Sequence, residues 1–143
     1  MILNVSYNNP ATRKKIEAQV GKPFTLKERF QKKGIGSPRL TITQTSVQVS
    51  NLMELDNNRN VCNIELRPTG ILVGFRALLE SYVLVIPYYK LVLYKGKADE
   101  YAVYKDDYFI KINALPSNKT VHKFMQKIQG EKAAYDQNVK PPF

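Results

Sequence analysis

The sequence predicts an α+β fold: an antiparallel sheet of about seven strands, one helix after it, and a short helical N-terminal arm before it. Three observations carry that expectation. Between residues 39 and 113, apolar and polar residues alternate in short segments bounded by turn residues, the period of strands. Near the C-terminus, Val121, Phe124, Met125 and Ile128 fall at i, i+3, i+4 and i+7, which is one stripe of a helix. Ahead of residue 39 the spacing is helical and the charge strongly basic.

The arm reads as two short helices. Asn9 is placed to cap the first, Pro10 occupies the favoured first helical position, Ile16 and Val20 lie four apart, and Gly21 stops it. Thr25-Leu26-Lys27-Glu28 is a capping-box pattern that opens the second, and Gly34 closes it. Leu26 and Phe30, one turn apart, are expected to anchor this helix to the body, with Lys27, Arg29, Lys32 and Lys33 in water.

Strands follow. In RLTITQTSVQVS, Leu40 and Ile42 share one parity while Val47 and Val49 take the other, so the register shifts near residues 44–46. Two short strands joined by a tight turn explain the shift; a bulge within one long strand is the alternative. Arg67-Pro68-Thr69-Gly70 is the turn of a hairpin, with Pro where its fixed φ fits. Residues 81–96 give one or two strands, with Pro87 as an edge, bulge or break. Asp106 and Asp107 form the turn of a second hairpin rich in Tyr, Val, Phe and Ile. The last helix is capped by Ser117 or Asn118, and Gly130 weakens or ends it.

At 143 residues with 43% hydrophobic composition, the chain fits one domain with its own core. One Cys, Cys62, excludes an intrachain disulfide, and one His, His122, leaves too few soft ligands for a usual structural zinc site. The apolar stretch 71–93 is broken by Arg76, Glu80, Pro87 and Lys90, so it reads as strands and not as a membrane span. The first ten residues lack the regions of an export signal, and a cytoplasmic protein, with attachment at the inner membrane face allowed, is the expectation.

The order of these elements, with VIPYYKL entering a central strand and TVHKFMQKIQ closing the chain, resembles a pleckstrin-homology-like domain of the bacterial or GRAM kind over about residues 37–130. The resemblance implies a bent antiparallel sheet or partly open barrel of about seven strands, with the C-terminal helix capping one end. It divides the chain into a basic arm over 1–36, a pleckstrin-homology-like barrel with its helix over 37–136, and a tail over 137–143. Phosphoinositide-binding members carry a Lys/Arg-rich loop between their first two strands. Here that loop is Gln44-Thr45-Ser46, so inositol phosphate recognition is not implied.

The formal charge of +10 is unevenly placed: residues 1–50 hold nine Lys/Arg and two Glu, net +7, leaving +3 for the rest. The candidate anion-binding residues are therefore Arg13, Lys14, Lys15, Lys27, Arg29, Lys32, Lys33 and Arg39. Competing sites are weaker. His122 lies off the apolar stripe with no carboxylate nearby in sequence and reads as an exposed surface histidine; Cys62 has no adjacent base and reads as a small hydrophobe. Lys33-Gly34-Ile35-Gly36-Ser37 lacks a P-loop ending and reads as a joint between arm and barrel. The tyrosines sit mainly in strands, where packing accounts for them before base stacking does.

The expected function is a non-enzymatic pleckstrin-homology-like binding module, without catalytic residues, metal or cofactor. Its partner is a protein segment or an anionic lipid surface, with nucleic acid bound by the basic arm as the alternative. A homo-oligomer is compatible with the sequence.

Overall fold

In a computed structural model, which describes residues 1–53, 60–77, 79–96 and 99–138, the alternating segments pair into one antiparallel sheet. The strands are β1 (Ile2–Asn4), β2 (Leu40–Thr45), β3 (Val61–Arg67), β4 (Gly70–Ala77), β5 (Glu80–Pro87), β6 (Val92–Lys95), β7 (Glu100–Lys105) and β8 (Tyr108–Asn113). The helices are α1 (Pro10–Val20), α2 (Leu26–Gln31), α3 (Val47–Met53) and α4 (Lys119–Asn138). Strand order is β1-β5-β4-β3-β2-β8-β7-β6, so the sheet is open, with β1 and β6 at its edges. The described residues hold eight strands, against about seven expected. One without a sequence signal is β1, whose three residues are too few to display a period and pair with β5 about eighty residues away, Ile2 opposite Leu84 and Asn4 opposite Tyr82.

Strand alternation sorts the core onto two faces. Ile71, Val73, Phe75, Leu84 and Ile86 point to one face, where Val121, Phe124, Met125 and Ile128 of α4 join the main core as their spacing predicts. Leu72 and Val85 point to the other, where Ile16 and Val20 of α1 cover them. Burying those two α1 side chains contributes about 2 kcal/mol each, enough to hold an 11-residue helix against the sheet. Residues 1–36, read from the sequence as an arm, thus contribute a strand and a covering helix to the sheet.

Most local signals fold as read. Asn9 caps α1 by accepting from the Ala11 N–H, Thr25 and Glu28 form the capping box, and Arg67 pairs with Gly70 across the β3–β4 turn. Pro87 ends β5, and Asp106, with φ of 52°, sits in the β7–β8 turn. Asn118 caps α4 through its side chain to the Val121 N–H, 3.3 Å. Gly130 does not end α4, which continues to Asn138. Of the tail expected over 137–143, residues 139–143 lie outside the described residues.

The segment 46–53 corrects the reading of a second strand there. Ser46 starts α3, accepting from the Val49 and Ser50 N–H groups, and the buried residues are Val49 and Met53, one turn apart. The Ser46 hydroxyl also accepts the Phe109 N–H at 3.1 Å, tying the start of α3 to β8. Ser46→Ala removes a buried hydroxyl and leaves that part-buried amide unpaired, and should lower stability by about 1–2 kcal/mol in urea unfolding.

Candidate anion-binding surface

Residues 25–34 form an excursion between two buried anchors, Phe24 and Ile35. A six-residue helix is too short to persist on its own, so α2 depends on what fixes its ends. At its start the Thr25 hydroxyl accepts the Glu28 N–H, while the Glu28 carboxylate accepts the Thr25 N–H at 3.0 Å. That bond holds the Glu28 carboxyl below its ordinary range. The Arg29 Nε donates to the Phe24 carbonyl at 3.1 Å.

Past its end, Lys33 and Gly34 turn the chain with φ of 59° and 96°, and the Gly34 N–H returns to the Arg29 carbonyl at 2.9 Å. Glycine belongs there because this region strains other residues. Here α4 completes the mount. The Lys127 Nζ donates to the carbonyls of Lys32, Lys33 and Gly34 at 3.1, 3.4 and 3.2 Å. Glu131 pairs with Lys32 at 2.9 Å, and the Lys32 ammonium lies 5.0 Å from the centroid of the Phe24 ring. Beyond the turn, the Ile35 carbonyl accepts the Leu66 N–H and the Ser37 hydroxyl accepts the Ile64 N–H, so the Gly34–Ser37 connection runs along β3.

This mount turns the expected anchors outward. Leu26 and Phe30 are 83% and 87% exposed and do not pack on the body. The anchoring positions are taken instead by Phe24 and Ile35, one on either side of the helix. Leu26, Phe30, Arg29 and Lys33 line one shallow apolar depression.

The structure distributes the candidate cations over three places. Lys27, Arg29, Lys32 and Lys33 share the α2 segment. Arg13, Lys14 and Lys15 are exposed on α1, and Arg13 donates to the Asn8 side chain. Arg39 lies on a separate groove with Arg76, Asn63 and Tyr82. Lys32 is committed to Glu131, whereas Lys22, Lys27, Arg29 and Lys33 are exposed and, among the described residues, form no ion pair.

His122 corrects the expectation of an exposed surface histidine. It is half-buried; its Nε2 donates to the Leu115 carbonyl at 2.9 Å, and its Nδ1 faces the Tyr101 hydroxyl at 2.8 Å. The ring therefore joins α4 to β7. Cys62 is buried in β3, and burial pushes its thiol up to about 12. Among the described residues no group of three His, Cys, Asp or Glu side chains gathers to hold a metal, and no helix is long and apolar enough to cross a membrane. Comparisons with protein-family models, curated proteins and solved structures find no match to this chain.

Proposed function

We propose that the protein is a non-enzymatic, pleckstrin-homology-like binding module that attaches to an anionic surface through the α2 segment. The fold part of this reading is supported by seven strands, β2 to β8, followed by a helix whose apolar stripe enters the core, the arrangement the resemblance implies. The observation that carries the binding part is the set of exposed cations Lys22, Lys27, Arg29 and Lys33, clustered within twelve residues of the chain and forming no ion pair among the described residues. The one carboxylate of this segment, on Glu28, is engaged by the helix cap. Cations clustered within one short segment attract a polyanion more strongly than the same charges spread over the molecule.

The test must separate this cluster from the net charge. Lys27→Glu/Lys33→Glu should elute from immobilised heparin at clearly lower salt than the wild type. It should also elute below Lys14→Glu/Lys15→Glu, which changes the net charge equally on α1. Co-elution of the two double variants removes α2 as the binding element.

A further inference from the structure

Resting on that reading, we propose that the anionic surface is a lipid bilayer and that α2 is a wedge: Leu26 and Phe30 enter the boundary between headgroups and acyl chains while the surrounding cations engage the headgroups. Leu26 and Phe30 are four residues apart and lie on one face of α2. Both stand more than four-fifths exposed. An ordinary short helix turns such a pair toward the core. Here the capping box, Arg29, Lys127 and Glu131 hold the helix with that pair facing out.

The chemistry of the patch selects the occupant. Its apolar part is two side chains, far short of the roughly 800 Å² that each partner gives to a standard protein interface. Insertion into an acyl boundary requires no matching surface. A nucleic acid would use Phe30 for stacking and leave Leu26 without a role. Arg29 and Lys33 line the same depression as the apolar pair, and the exposed Lys27 follows Leu26 in the chain, so cations flank the apolar side chains as an anionic headgroup layer over hydrocarbon requires. An apolar insertion combined with a polybasic patch is the two-signal arrangement that makes peripheral attachment stable.

The chain contains no Trp, so Phe30→Trp introduces a single reporter at an exposed position. With vesicles of phosphatidylcholine and phosphatidylserine at low salt, its emission should shift to the blue and be quenched by lipids brominated near the glycerol end of the acyl chain. Pure phosphatidylcholine vesicles should produce neither change. In co-sedimentation of the otherwise wild-type chain, Leu26→Ser/Phe30→Ser should weaken binding about a hundredfold. Both side chains are exposed, so unchanged thermal unfolding is expected and separates lost insertion from lost folding. Vesicle binding with an unshifted, unquenched indole overturns the wedge while leaving the electrostatic reading in place. Retention on a single-stranded oligonucleotide but not on anionic vesicles has the same consequence and assigns the surface to nucleic acid. Retention on neither overturns both.

Discussion

Gly70→Ala should cost about 3 kcal/mol or more of folding stability, lowering the unfolding midpoint by about ten degrees. Gly70 opens β4 directly after the turn and pairs with Pro87. A Cβ there would stand 2.4 Å from the Ile86 carbonyl oxygen, 2.4 Å from Val20 Cγ1 and 2.8 Å from the Pro87 Cα. Two of these three neighbours are backbone atoms of β5, so no rotamer change relieves them. The third belongs to the fully buried end of α1, which is also tied to this turn by the Thr69 N–H to the Val20 carbonyl, 3.0 Å. The substitution therefore strains the β4–β5 pairing and the seat of α1 together. Thermal and urea unfolding measure it; a midpoint within two degrees of the wild type would show that the junction has room the geometry denies.

Modification of Cys62 should be at least a thousandfold slower in the native protein than in the unfolded chain at pH 8. Burial raises the thiol from its ordinary value of 9.0 to about 12, so well below both values the reactive thiolate is about a thousandfold scarcer in the folded state. Only 4% of the residue is exposed, which slows any reagent further. The same shift sets a pH dependence. The folded state favours the protonated thiol, so this contribution is intact below pH 9 and declines as pH rises from 9 toward 12. Iodoacetamide labelling followed by mass spectrometry reads the first effect, and urea midpoints at pH 8 and pH 10 read the second. Labelling at a comparable rate in native and denaturing buffer would contradict the burial of β3 on this face.

What was legible in the sequence was local. The capping box of α2, the turn at Arg67–Gly70 and the stripe of α4 each depend on residues within a few positions of one another, and each forms as read. The misreadings have distant causes. Val47 and Val49 alternate like a strand, but Ser46 is tied to Phe109 in β8, and the helical pair Val49 and Met53 takes the core. Leu26 and Phe30 have the spacing of a buried pair. Spacing alone does not say which way a short helix faces, and its orientation here is held by Lys127 and Glu131, about a hundred residues later. Part of the site did carry a signal: Phe24 and Ile35, just outside the helix, are apolar residues able to replace Leu26 and Phe30 as anchors.

The grip of Lys127 and Glu131 on α2 has an entropic consequence. A loop of ten residues that became ordered only on meeting its partner would give up on the order of 10 kcal/mol of backbone freedom at that moment. Residues 25–34 are already bracketed by Phe24 and Ile35 and clamped by a helix rooted in the core. Their freedom is lost on folding, and the helix that clamps them is itself seated by the fully buried Met125 and Ile128. On the proposed binding, association would then be a rigid-body event, with its free energy left for holding the anionic surface.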